Sequence, residues 1–363
     1  MKQDTSTKTD SLTTSVALCT YNGAKYLQYQ LDSITSQISP PGEVVICDDA
    51  SQDNTIDIIN NWAKTVPFEV RVFQNEKNLG YTKNFEKCIE LCKNEVIFLS
   101  DQDDIWYPEK IQTIVSVFSK DSQIGLVICD GDTIDEGNNP LPYYRKDIEE
   151  YYIDNSQPSY LSPYSSSLRE ASGCCFAFLS KFKSSLLPIP LPFSHDLWIY
   201  TLLPAAGKVK YIQNPLIHCR IHGKNVSVQY AHTISEHISY NKTLSKLTYQ
   251  NRVAEYYRLA EQIIITEERI QSLPDNSYKS KAVKWLQHIS RHYPNRGRIQ
   301  RNMFIFFPLF LYELFFVQYF YHRQPLKNIA YDIYKGVTNS FSLRNFMNEI
   351  NNITKWRKTN EKH

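Results

Sequence analysis

From residue 15 onward, short apolar runs alternate with stretches whose apolar residues recur at helical spacing. Runs at 15–19, 43–47, 68–74, 95–100 and 124–129 are predicted strands. Between them the pattern predicts helices at 24–37, 55–65 (with Trp62 on the inner face), 81–92 and 108–119. Strands separated by helices of this length predict a mostly parallel α/β sheet with right-handed crossovers. The rhythm breaks over 130–170, a Tyr-, Ser-, Pro- and Asp-rich stretch expected to form loops and short hairpins. An apolar strand is expected again at 173–179. Pro188, Pro190 and Pro192 then enforce an extended approach to Ser194-His195-Asp196, and 197–203 reads as an apolar helix. From about 232 to 272 apolar residues return at helical spacing, which predicts a long helix or a helical pair.

These patterns divide the chain into a disordered polar leader (1–13), a catalytic α/β domain (14–230) and a helical C-terminal region (231–363). The chain has 363 residues, 42% hydrophobic and 21% charged, and a formal net charge of +2. A sizeable core is therefore expected, and bulk charge gives no support for nucleic-acid binding. Eight cysteines include Cys19, Cys47 and Cys129 inside predicted strands, where a free thiol packs as a small hydrophobe. No CxxC pair appears, and adjacent Cys174 and Cys175 read as poorly placed for a structural zinc site. All are expected to be reduced and buried. With no apolar signal segment at the N-terminus, this predicts a cytoplasmic protein.

Open α/β sheets bind ligands beyond the carboxyl ends of their strands. Three polar clusters fall at such ends here: Thr20-Tyr21-Asn22-Gly23, Asp48-Asp49-Ala50-Ser51 and Asp101-Gln102-Asp103-Asp104. Asp101 and Asp103 are spaced to address one hard cation, Mn²⁺ or Mg²⁺, which neutralises a departing diphosphate. The plain alternative is a solvated acidic turn. Either Asp48 or Asp49 can accept from a nucleobase N–H or hold a ribose hydroxyl, with helix capping left to Ser51 or Asp53. Tyr21 can stack on the base, or simply pack on the surface. Asp196 is either an N-cap or a general base that takes the proton of an attacking hydroxyl. His222 and Asn225 form a late polar loop in which Arg220, His222 and Lys224 together suit a diphosphate or a metal, the plain alternative being a structural histidine.

CTYNGAKYL, VVICDDASQDNT, NEKNLGYTKNF, IFLSDQDDIWYPEKI, SHDLW and RIHGKNVS, in this order across 14–228, resemble the bacterial family-2 glycosyltransferases, within them the rhamnosyltransferase-like subgroup. The resemblance implies a GT-A fold and transfer with inversion at the anomeric carbon. It implies a nucleotide-sugar donor, dTDP-rhamnose first and a UDP-hexose second, and a glycan or lipid-linked acceptor in cell-surface polysaccharide synthesis. It further implies that Tyr21 and Asp49 contact the nucleoside and that Asp101 faces the sugar and ribose. Asp103 would bind the metal, Asp196 would be the base, and His222 would approach the diphosphate and metal. Thr20, Asn22, Asp48, Lys83 and Arg220 complete the expected donor site. Lys83 stands where relatives carry Arg or another residue, and His195 replaces an acidic partner before the base.

The segment 276–312 holds seven Lys/Arg and no acid, and runs into the aromatic, apolar segment 303–321. Pro308, Glu313 and Gln318 argue against a spanning helix. Basic residues before an aromatic helix predict peripheral membrane contact through 290–325, on the inner face of the cytoplasmic membrane. A buried helix is the alternative. Three rival functions are weaker. A HAD-type phosphatase would open its domain with the DxD, a nucleotidyltransferase needs a Gly-rich basic loop after the first strand, and a catalytically inactive sugar-nucleotide binder would leave the acidic clusters without chemistry.

Overall fold

The computed structural model describes residues 12–141, 172–191, 193–223, 225, 261–284 and 286–287. The expectations for the leader, for most of 130–170 and for the basic and aromatic C-terminal segment beyond 287 lie outside these residues. The chain divides into two compact units, one of Met1–His232 with Ser272–Ser280 and one of Thr233–Gln271 with Lys281–His363. In the second unit 261–271 is helical, inside the expected 232–272 span.

The first unit is built on one eight-stranded sheet. Its strands in chain order are β1 (Thr14–Thr20), β2 (Glu43–Asp48), β3 (Glu69–Gln74), β4 (Val96–Ser100), β5 (Ile105–Trp106), β6 (Ile124–Ile134), β7 (Phe176–Leu179) and β8 (Lys208–Arg220). Across the sheet they run β3-β2-β1-β4-β7-β6-β8-β5. β1 pairs parallel with β2 and β4, β2 with β3, and β6 with β8, whereas β7 and β5 run antiparallel to their neighbours. The mostly parallel α/β sheet is as expected.

The helices are α1 (Leu27–Thr35), α2 (Thr55–Ala63), α3 (Tyr81–Leu91), α4 (Lys110–Lys120), α5 (Lys183–Leu186) and α6 (His195–Ala206). β1, β2 and β4 are buried along their whole length. Covering helices on both faces explain why these strands are nearly continuous apolar runs. α3 buries Phe85, Cys88 and Ile89, and α1 buries Leu27, Leu31 and Ile34. β3, at the edge, is half-exposed and carries Glu69 and Arg71, charges that blunt an open edge.

Three differences from the sequence reading bear on the site. β8 was not anticipated, because Lys208, Lys210, Gln213, Asn214 and Pro215 dilute its apolar pattern on a half-exposed strand. β6 continues past Cys129 to Ile134, into the stretch expected to be loop, since β8 pairs with it as far as Ile134↔Arg220. The expected strand at 173–179 begins instead with a 3-10 turn, Gly173–Cys175, and only Phe176–Leu179 joins the sheet.

Candidate functional site

Because β1, β2 and β4 are parallel, Thr20, Asp48 and Asp101 leave the sheet at one edge. β7 is antiparallel, so the 173–175 turn before it lies at that same edge, as do the ends of β6 and β8. A side chain at Gly173 would meet the His195 ring at 2.7 Å and the Asp196 Cβ at 3.4 Å. The absence of a side chain at Gly173 lets the start of α6 pack close to the turn. Residues far apart in the chain thus share one edge of the sheet.

The Asp48-Asp49 pair is not free, as the sequence reading had it. Asp48 is fully buried and accepts from Thr20 Oγ1, Ser51 N and Ser51 Oγ. With 0% exposure it shows no face to a ligand; it and Thr20 brace the β1 and β2 ends. Asp49, also buried, accepts from Leu79 N, Gly80 N and Asn75 Nδ2. It fixes the turn before α3, where Gly80 adopts φ +83°, a conformation that favours glycine. Neither caps α2 directly; Asp53 Oδ1 takes the Thr55 N–H and hydroxyl.

The first turn is held by Gln102. Its amide receives the Tyr21 N–H at 2.8 Å and donates to the Tyr21 carbonyl at 3.0 Å. Gly23 lies beneath it: a Cβ there would lie 2.1 Å from Gln102 Oε1 and would displace the amide from Tyr21. Tyr21 itself stays 47% exposed, free to stack, and Asn22 takes φ +48° while accepting from Gln52 N. Gln102, which the sequence reading passed over as a spacer, therefore ties the DQDD loop to the β1 turn.

The Asp101–Asp104 loop contrasts with all of this. Burial, then the negative charges of Asp104, Asp103 and Asp196, hold the Asp101 carboxyl well above the usual carboxylate range. Asp104 is pushed up to about 7, first by burial and then by Asp103, against the Arg220 N–H and the Cys174 thiol. Its Oδ1 accepts from Arg220 N at 3.0 Å, while the buried Oδ2 has no hydrogen-bond partner. Asp103 Oδ2 meets His222 Nε2 at 2.8 Å and Asn225 Nδ2 at 3.1 Å. His222 stacks on Tyr26, with ring centroids 4.8 Å apart.

The expected metal set falls into two neighbouring groups. Asp103 pairs with His222, whereas Asp101 lies with Asp104 and Cys174, their ligand atoms within 4.8 Å of one another. Adjacent ligands on a small divalent cation at about 2.1 Å are themselves about 3 Å apart. The 2.8 Å Asp103–His222 separation fits that spacing. A carboxylate and an imidazole suit Mn²⁺, and the carboxylate alone suits Mg²⁺.

Two residues expected at the donor site, Arg220 and Lys83, are already engaged within the protein. Arg220 is 1% exposed and spends its guanidinium on the carbonyls of Asp103, Asp135 and Glu136, packed over Tyr26. Its Nη2, buried beside the acidic loop, has no hydrogen-bond partner among the described residues. Lys83 is bound to Glu86 and to the Ile189 carbonyl, so its charge is already met on α3. Asp196 is partly exposed in the first turn of α6. Ser194 occupies the cap position, and Asp196 Oδ1 accepts only from Leu197 N at 2.7 Å. Its plain alternative as an N-cap does not hold. His195 beside it is buried, stacked on Phe85 at 3.9 Å, and neither ring nitrogen has a partner. Burial holds it below the usual imidazole value, with the Asp196 charge pulling the other way.

Residues 15–182 match the family described as glycosyl transferase family 2. An uncharacterized glycosyltransferase of Nostoc sp. is 29% identical over 61% of this chain and 69% of its own. A dTDP-rhamnosyl transferase of Shigella flexneri is 34% identical over 27% of this chain and 35% of its own. Among solved structures, TarS 1–349 of S. aureus in complex with UDP-GlcNAc superposes with a TM-score of 0.54 at 14% identity, covering 92% of each chain. The fold is that of the nucleotide-sugar transferases.

Proposed function

We propose that the chain, a family-2 glycosyltransferase over residues 15–182, moves a sugar with inversion from a nucleotide diphosphate to an acceptor hydroxyl. One observation carries the reading: the Asp103–His222 pair and the unspent Asp196 carboxylate stand at the same sheet edge, close enough for the Asp196 charge to raise Asp101. Asp103 and His222 would hold Mn²⁺ or Mg²⁺, and Asp101 lies beside them. Bound there, such an ion neutralises negative charge on a leaving diphosphate. Tyr21 offers an exposed ring to the nucleobase. Asp196 removes the proton from the acceptor hydroxyl as that oxygen attacks the anomeric carbon, and a single displacement inverts the centre. A phosphatase is disfavoured, because a nucleophilic Asp101 would have to act as an anion amid three other carboxylates.

The Shigella relative's name supports dTDP-rhamnose as the first donor and the TarS complex keeps a UDP-hexose second. We place the protein on the cytoplasmic membrane face, with a glycan or lipid-linked acceptor reached through 290–325. Among the described residues no helix is long and apolar enough to cross a membrane. Deleting 290–363 should move the protein from membrane to supernatant fractions; unchanged fractionation rejects the membrane contact.

The decisive test of the activity is a donor screen measuring metal-dependent release of UDP, dTDP or GDP. Asp196→Asn should cut transfer by about 10²–10⁴-fold while leaving donor binding intact. Full activity in that variant, or no release from any donor by folded protein with metal, overturns the reading.

A further inference from the structure

Beneath the DQDD loop lies a cluster that the proposed reaction does not use. The Sγ atoms of Cys174, Cys175 and Cys219 lie within 4.8 Å of one another. They come from the 173–175 turn and the end of β8, which the sheet brings side by side through β6. All eight cysteines are buried, and none forms a disulfide. Sequence spacing had counted Cys174 and Cys175 against a zinc site; it missed that the third sulfur arrives on a strand the sequence did not reveal.

Two further groups surround the sulfurs. Asp104 places a carboxylate oxygen within 4.8 Å of Cys174 Sγ, and its charge also reaches Cys219. Lys110 is fully buried. Its Nζ donates to the Cys174 carbonyl at 2.8 Å and sits 4.3 Å from the Trp106 ring centroid, with no carboxylate paired to it among the described residues. A buried ammonium without a counter-charge is costly. A nearby anion would offset that cost.

We propose that Cys174, Cys175 and Cys219, with the Asp104 carboxylate as fourth ligand, form a closed structural site for a thiophilic divalent cation, zinc. Binding replaces the three thiol protons, which leave to solvent, and changes no oxidation state. Tetrahedral zinc at about 2.3 Å from sulfur needs sulfurs about 3.8 Å apart, so the three sulfurs close by a small contraction, while the Asp104 carboxylate, which groups with Cys174 alone of the three, must swing toward Cys175 and Cys219. Three thiolates and one carboxylate leave the zinc site with excess negative charge, which Lys110 partly balances. The ion would staple β8, the 173–175 turn and the DQDD loop together, next to the start of α6, which carries Asp196. This proposal is independent of the sugar-transfer reading.

The test uses full-length protein purified under reducing conditions without chelator. Metal analysis should find stoichiometric zinc, and Co²⁺ exchanged into the reduced protein should give an intense sulfur-to-cobalt charge-transfer band. An oxygen-ligated Mn²⁺ or Mg²⁺ site gives no such band. Cys175→Ser and Cys219→Ser should lose the zinc, while Cys92→Ser, a buried thiol outside the cluster, should keep it. Because a core serine can also unfold the chain, the wild-type cobalt titration stands by itself. Folded, reduced wild-type protein with neither zinc nor a charge-transfer band overturns the site, and loss of zinc from Cys92→Ser equally displaces it.

Discussion

Two acidic turns leave the same sheet edge on either side of β1, and they are treated in opposite ways. Asp48 and Asp49, after β2, are buried and satisfied by hydroxyls and backbone N–H groups. Asp101 and Asp104, after β4, crowd each other, and one buried Asp104 oxygen makes no hydrogen bond to nitrogen or oxygen among the described residues. Folding alone explains the first turn, since a carboxylate with three donors stabilises the loops it joins. It does not explain the second, where unpaired like charges oppose folding. Unsatisfied groups concentrate where a ligand completes them. The contrast therefore separates scaffold from site better than the acidic composition shared by both.

Neutralising one member of each turn should break the symmetry most visibly. Asp101→Asn is expected to cost about 10²–10³-fold in turnover, the scale of losing one charge-stabilising group, while the metal-free protein melts at a higher temperature. Asp49→Asn should do the reverse. It takes an acceptor from the Leu79 and Gly80 N–H groups and should destabilise by about 1–3 kcal/mol, with activity following only the folded fraction. Thermal melts and initial rates on the same preparations decide it. Equal melting shifts of the same sign in both variants would remove the distinction.

The pH dependence sharpens the same contrast. A carboxyl whose folded pKa is raised keeps a proton that the unfolded chain has released, so its presence costs stability as pH climbs above about 4. The melting advantage of Asp101→Asn over wild type, without metal, should thus be absent near pH 4 and grow toward neutrality. Glu43 should behave oppositely. Burial raises it, but the Ser15 hydroxyl, the Lys93 N–H and Arg71 outweigh that and hold it below the usual range. Its stabilisation is present above about pH 4 and fades as pH falls through the lowered value. Glu43→Gln should therefore be most damaging at neutral pH, and a pH series of melts reads both slopes.

How much of this was legible beforehand follows from where each signal resides. The parallel core strands β1, β2 and β4 were readable because burial on both faces forces continuous apolar runs. β8 was not, because half of it faces outward and carries lysine, glutamine and proline without breaking the pairing to β6. The approach of Asp103 and His222 was inferable from strand ends and motif order. The hydrogen-bond partners of Asp48, Arg220 and Lys83 were not. Whether a charged side chain faces a cleft or a neighbouring carbonyl is a matter of a few ångströms of packing, on which residue type is silent. Gln102 shows the converse: a residue with no charge and no motif weight makes the two bonds that join the first turn to the acidic loop.

The smallest expected effect concerns Glu136, a carboxylate of a third kind. It pairs with Lys25, and the two side chains are 52% and 67% exposed. Water solvates both partners whether or not they meet, and salt screens what attraction remains. The Glu136 backbone carbonyl, not its side chain, is what Arg220 holds. Lys25→Ala should accordingly leave the melting temperature unchanged within error at low and high salt, with sugar transfer intact. A clear loss of stability would mean that acidic side chains at this edge matter whatever their burial. Satisfaction by buried donors would then no longer be what distinguishes the β2 turn from the β4 turn.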